Sequence, residues 1–244
     1  MMTSAEKTTF RFFPILNELE ADDWLTSAGK IRTGAGREYF SADTLQDKVV
    51  RALVSEKIVN IKEILEAFEF FARIRREIRE EVVIDLCCGH GLVGVLFALF
   101  ERSVKRVVLV DKVEPLSRQR MLTCLAKVAP WITAKIENRS ECINSEMDWV
   151  PEGSSIVSVH ACGVLTDRCI EIANDCKGKL AVLPCCYPQE HCQAPRVLGL
   201  ALGNDLAFDI DRTYRLENAG YYVKWQAIPA VITPKNRVIT AVKV

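Results

Sequence analysis

The sequence predicts an α/β protein: a doubly wound, mostly parallel sheet preceded by a helical amino-terminal extension. Three observations carry that prediction. From Val82 onward, short apolar β-type runs alternate with helical stretches. The first such unit, Val82 to Gly94, reads VVIDLCCGHGLVG: a strand, a small-residue turn and the start of a helix. Residues 1 to 80 lack strand alternation and carry helical apolar spacing instead. The chain therefore divides into an extension over residues 1–80 and a cofactor-binding domain over 81–244.

Composition bounds the function. Basic and acidic residues balance at 32 each, so a nucleic-acid partner would need a local basic patch rather than an overall field. The longest apolar run, Leu92 to Phe100, is far short of the ~20 residues that span a bilayer. The opening MMTSAEKTTF lacks a basic-then-apolar signal pattern, so a cytoplasmic protein is expected. Ten cysteines on strands and turns fit a reducing compartment.

In chain order, Thr8 to Leu19 is an apolar-rich helical opening with Pro14 inside it, and Asp22 to Arg37 is looser, with Gly29, Gly34 and Gly36 as breakers. Asp43 can cap a helix presenting Leu45, Val49, Ala52 and Leu53 on one face. Ile58, Ile61, Leu65, Phe68 and Ala72 form a second such face, ending in Arg73, Arg75, Arg76 and Arg79. Those arginines suit a helix carboxyl end, with an RNA-contacting patch as the sharper alternative. Strands are expected at Val82–Leu86, Arg106–Asp111, Ala134–Asn138, Ser155–His160 and Leu180–Pro184. Helices fall at Leu92–Glu101, Ser117–Val128, Leu165–Cys176, Arg196–Leu202 and Asp209–Ala219. Tyr221–Ile228 and Val238–Val244 are joined too closely for a crossover helix, which makes them an antiparallel hairpin.

Gly89 and Gly91 let the backbone turn tightly and approach a ligand, and the following helix offers unpaired amides to it. Gly89-His90-Gly91-Leu92-Val93-Gly94 formally matches G-x-G-x-x-G, which leaves an NAD-dependent oxidoreductase as one reading. Asp85 stands four residues before Gly89, giving D-x-x-x-G-x-G, and the sheet closes with a hairpin rather than a second βαβαβ half. In these features the chain resembles the class I S-adenosylmethionine-dependent methyltransferases. The resemblance implies a Rossmann-like seven-stranded sheet whose antiparallel last strand lies beside the fifth, with S-adenosyl-L-methionine as the cofactor. It implies that Asp85 and the turn through Cys87, Gly89 and Gly91 hold the methionyl end, and that Asp111 takes the ribose hydroxyls. Asn138 and His160, ending the third and fourth strands, complete the expected cofactor-binding set.

His160-Ala161-Cys162-Gly163, followed by Leu165-Thr166-Asp167, resembles the H-x-C-G-x-x-T-D segment of one subgroup, and Cys185-Cys186-Tyr187 resembles its Cys-Cys pair. That subgroup contains the acceptor-stem tRNA 2′-O-methyltransferases and several methyltransferase-like proteins. The likeness implies RNA, with tRNA modification first, as the acceptor class, ahead of a protein side chain or a small molecule. The tRNA enzymes' amino-terminal CHHC zinc modules have no counterpart in residues 1 to 80, which hold neither Cys nor His. A non-catalytic binding module on the same fold is the remaining alternative.

Ligands of an open α/β sheet sit at the carboxyl ends of its strands. The family's strand order would put Cys87, Cys88, His160, Cys162, Cys185 and Cys186 along that rim. His160 and Asp167 are the expected catalytic residues, able to take or orient an acceptor proton. Cys162, Cys186 and Tyr187 are expected to line the acceptor pocket, with Pro188 beside them, and Tyr39 and Phe40 to reach the acceptor entrance. Cys185, Cys186, His191 and Cys192 offer soft ligands, but without C-x-x-C spacing no metal is expected.

Overall fold

The computed structural model describes residues 8–20 and 38–244; the stretch Asp22 to Arg37, with its glycine breaks, lies outside them. The apolar-rich opening Thr8 to Leu19 holds a single 3-10 turn, Pro14–Asn17. Proline has no N–H to donate and restricts the residue before it, so Pro14 can open a turn but not sit inside a helix. Helix α1 (Leu45–Ser55) is capped by Thr44, whose side chain accepts from the Asp47 amide. Asp43, expected as the cap, instead pairs with Lys48 at the surface. Helix α2 (Ile61–Ile78) starts at Asn60, whose side chain accepts from the Glu63 amide.

The sheet follows as β1 (Val82–Leu86), α3 (Leu92–Phe100), β2 (Arg106–Asp111), α4 (Leu116–Val128), β3 (Ile136–Ser140), β4 (Ser155–Val159), α5 (Val164–Asp175) and β5 (Lys179–Leu183). Helices α6 (Arg196–Leu202) and α7 (Asn204–Asn218) lead to β6 (Tyr221–Ala227) and β7 (Arg237–Lys243). Strand order is β3-β2-β1-β4-β5-β7-β6. β7 runs antiparallel to both β5 and β6, as the hairpin reading requires. Two elements shift. β3 begins two residues late because Pro130–Ala134 forms a 3-10 turn. α7 begins at Asn204, right after Gly203, rather than at Asp209.

Alternate residues of the central strands feed two cores. Val83, Val107, Leu109 and Val157 join α2, α3 and α4 in one apolar cluster. Ile84, Leu86, Val108, Val110 and Ile156 join α5 and α7 in the other. This two-sided burial is why these strands read as continuous apolar runs. α2 belongs to the first cluster through buried Phe68, Phe70 and Phe71, each contributing about 1.5–3 kcal/mol by burial. The helix thus covers the sheet while ending directly before β1.

α2 also carries two buried acids. Glu69 accepts the Arg11 amide at 3.0 Å and the Phe12 amide at 2.8 Å, and pairs with Arg73 at 2.5 Å. Arg73 in turn donates to the carbonyls of Thr9 and Ala227. One ion pair therefore ties the amino-terminal segment and β6 to the helix. Glu69→Ala leaves the buried Arg73 charge without its carboxylate and two amides without an acceptor, and is expected to cost about 3–5 kcal/mol. Urea unfolding measures this, and a midpoint equal to wild type would remove the pair from its anchoring role.

Candidate active site

The turn after β1 is held from three sides. The Gly94 amide, in the first turn of α3, donates to Asp85 Oδ2 at 2.8 Å. Asp111, at the end of β2, accepts the Gly89 amide at 2.7 Å. Arg118, fully buried on α4, donates to the Gly89 carbonyl through Nε at 2.9 Å and Nη2 at 2.7 Å. Gly91 is left-handed at φ +79°, and a Cβ there would meet Leu109 Cδ1 at 2.7 Å. Gly89 is also left-handed, at φ +52°, but a Cβ there would meet nothing within 4 Å. Its outer side is open to a ligand.

Asp85 is 2% exposed. Burial pushes its carboxyl up to about 7, against the pull of the Gly94 amide and Arg118. Its geometry is that of a cap, joining the strand to the helix. Asp111 is half-buried, and its second oxygen has no partner among the described residues. Cys87 has φ +53°, and its thiol is pushed up to about 12 by burial and the charges of Asp111 and Asp85. It is therefore neutral rather than nucleophilic. Asn138 does not reach the rim. The late start of β3 leaves it exposed in mid-strand opposite Leu109, and puts Ser140 opposite Asp111.

At the end of β4 the structure adds a residue that the sequence reasoning missed. His160 Nε2 lies 2.6 Å from Oε2 of Glu66, which comes from α2 and is 2% exposed. Wherever Glu66 acts as an acceptor-only carboxylate, the bond uses the Nε2 proton and leaves the lone pair on Nδ1. His160 Nδ1 and Glu66 Oε1 are both buried without a partner among the described residues. A signal was available: Glu66 and Glu69 stand among Leu65, Ala67, Phe68, Phe70 and Phe71, where a merely solvated acid has no place.

Asp167 sits in the first turn of α5 between two guanidiniums, with Arg212 Nη2 at 2.9 Å and Arg215 donating as well. Burial alone would raise its pKa, but the hydrogen bonds and charges of Arg212 and Arg215 outweigh it and hold the carboxyl below the ordinary value. A carboxylate so held is a weak base; its geometry links α5 to α7. The Tyr187 hydroxyl donates to buried Asp209 at 3.0 Å, and its ring packs edge-on against Phe208. Burial and the Asp209 charge raise the Tyr187 pKa. Tyr187 is clamped, its proton committed to Asp209. Tyr39 is half-buried and Phe40 buried, both packed into the α1–α2 core.

Cys162, Cys185 and Cys186 converge, with sulfur separations of 3.4–3.5 Å. His191 and Cys192 do not join them. Of the arginines ending α2, Arg73 is bound to Glu69, and Arg75 and Arg79 are bound to Glu101; Arg76 is exposed without an acidic partner among the described residues.

A model of a family described as "Methyltransferase domain" matches residues 56–192, from just before α2 to the end of the cysteine-bearing loop. Among curated proteins, a glutathione S-transferase C-terminal domain-containing protein of Xenopus laevis is 28% identical over 109 residues. That match takes in 44% of this chain, which spans only 16% of the length of that relative. A solved SAM-dependent methyltransferase from Aquifex aeolicus is 14% identical, with a TM-score of 0.47 over 79% of this chain and 98% of its own. A precorrin-6y methyltransferase from Geobacter metallireducens is 12% identical, with a TM-score of 0.49 over 78% and 92%.

Asp85 takes up a proton on folding between its ordinary value of 3.8 and about 7. Its contribution to stability is full below the lower value and is lost as pH rises through the upper one. Asp85→Asn keeps an oxygen for the Gly94 amide and does not titrate. The variant is expected to gain stability relative to wild type as pH rises from about 5 to about 7. A constant difference in urea midpoint across that range would contradict the assignment.

Proposed function

The chain belongs to the methyltransferase-domain family, and from that premise we propose that it is an S-adenosylmethionine-dependent methyltransferase whose acceptor is an RNA hydroxyl, with His160 taking the hydroxyl proton. The turn after β1 suits the cofactor. Gly89 is open on its outer side, the first amides of α3 have no side-chain cap apart from Asp85 at Gly94, and Asp111 keeps one unshared oxygen. In this reading Gly89 and Gly91 let the backbone approach the ligand, Cys87 walls it, and Asp111 accepts from the ribose diol. Asp85 acts through the loop it braces. Bound S-adenosylmethionine supplies an electrophilic methyl group on a sulfonium.

Methyl transfer asks mainly for alignment, and the rim provides it with Tyr187 locked by Asp209 and with Cys162 and Cys186 beside it. The observation that carries the acceptor proposal is the bonded His160–Glu66 pair. A thiolate or a neutral ring nitrogen already has a lone pair to offer, whereas a hydroxyl must shed a proton as it attacks. The Nδ1 atom of His160, unshared and oriented by Glu66, has the chemistry for that task, and because it is buried in this structure the acceptor reaches it only when the rim opens. The likeness of the His160–Asp167 and Cys185–Tyr187 segments to the tRNA 2′-O-methyltransferases points the same way, with tRNA as first candidate.

Incubation with radiolabelled cofactor and fractionated cell extract tests the acceptor. Label removed by ribonuclease is the expected result; label removed only by protease would refute an RNA acceptor. His160→Ala is expected to lower kcat by about a hundredfold while leaving the cofactor KM nearly unchanged. Glu66→Gln, a change in a positioning residue, should lower kcat less and shift the pH–rate profile. Full activity in His160→Ala would remove the base from the mechanism.

A further inference from the structure

The three thiols at the rim are not placed like packing residues. Cys169 and Cys176 are buried in the core, whereas Cys162 and Cys186 are exposed and Cys185 is half-buried. Their sulfurs form a near-equilateral triangle: 3.5 Å from Cys162 to Cys185, 3.4 Å from Cys185 to Cys186 and 3.4 Å from Cys186 to Cys162. Adjacent side chains of an extended chain point to opposite faces, which argues against Cys185 and Cys186 sharing a ligand. Here β5 has ended at Leu183, and the irregular chain beyond it brings both sulfurs to one side. The third sulfur comes from the other crossover, on the tight turn that carries His160 and Gly163 at positive φ. Two neighbouring strand ends thus aim three soft donors at one point.

We propose that Cys162, Cys185 and Cys186 form a zinc(II) site with three protein thiolates and a fourth position reached by solvent. A tetrahedral centre with zinc–sulfur bonds of ~2.3 Å has sulfur–sulfur edges of about 3.8 Å. The triangle therefore needs to open by only a few tenths of an ångström. Three thiolates favour zinc over magnesium or calcium, which take oxygen donors. On binding, three S–H bonds break, three Zn–S bonds form and three protons leave to the buffer, so affinity rises with pH. Three protein ligands and one open position are the pattern of a reactive rather than a closed structural centre. The site lies two residues from His160, where it can orient an acceptor oxygen as well as brace the β4 and β5 loops.

The test is spectroscopic and independent of methyl transfer. The whole chain, reduced and freed of metal by chelator, is titrated with cobalt(II). One equivalent is expected to bind with an intense sulfur-to-cobalt charge-transfer band in the near ultraviolet, and added zinc(II) should bleach it stoichiometrically. Cys162→Ser and Cys186→Ser should each weaken cobalt uptake by at least about tenfold. Cys142→Ser, which removes an exposed thiol elsewhere, should leave uptake unchanged. No charge-transfer band from the wild-type chain overturns the site, whether or not the serine variants fold. A band that persists in both Cys162→Ser and Cys186→Ser, or one lost in Cys142→Ser, overturns it equally.

Discussion

The hydrogen bond from the Gly94 amide to Asp85 is the constraint on which the rest of the site depends. It closes a strand onto the helix that follows, across a turn that has little side-chain mass of its own to hold it. Once Gly94 is anchored, Leu109 fills the space beneath Gly91 and Gly94, so a Cβ at either position would force that side chain to shift. Asp111 and Arg118 then grip Gly89 from its amide and its carbonyl. The anchoring acid is itself buried, which is why its carboxyl moves up to about 7. The turn is held because the Gly89 amide, the Gly89 carbonyl and the Gly94 amide each take a partner from a different element.

The helix before β1 extends the same logic to the other half of the rim. α2 has an apolar stripe for the sheet, and within it two acids that would be costly to bury alone. Glu69 is satisfied by Arg73 and two amides, which fastens the amino-terminal segment. Glu66 is satisfied on one oxygen only, by His160. Stability and chemistry therefore share one helix, whose position is set by its aromatic face. The helix forms part of the sheet's own core even though it lies ahead of the first strand.

On the far side of His160, charge is organised differently. Arg212 is fully buried, bonded to Asp167 and Asp209, and Asp209 also holds Tyr187 and Arg237. The effect is to tie α5, α7, the start of β7 and the loop after β5 into one block. The thiol triangle sits at its edge, on loops whose positions that block determines. Asp167 belongs to this network, which gives an acid in a motif-like segment a structural task.

Local pattern was enough for the architecture. β1 and β2 were readable to the residue, because two-sided burial leaves few alternatives, and Pro195 and Gly203 bracket α6. Asp85, Gly89 and Gly91 could be placed at one strand-end turn because strand, turn and helix are consecutive in the chain, whereas Asp111 was brought to it by the resemblance to class I methyltransferases. Boundaries failed where a neighbouring residue competed: Thr44 over Asp43 as cap, and the Pro130 turn displacing β3 and with it Asn138. What spacing could not reveal were contacts between residues far apart in the chain. Glu66 meets His160 across 94 residues, Arg118 meets Gly89 across 29, and Cys162 meets Cys185 across 23. Periodicity determines which face of an element is buried, but only the packing of one element on another decides which polar groups on those faces become partners.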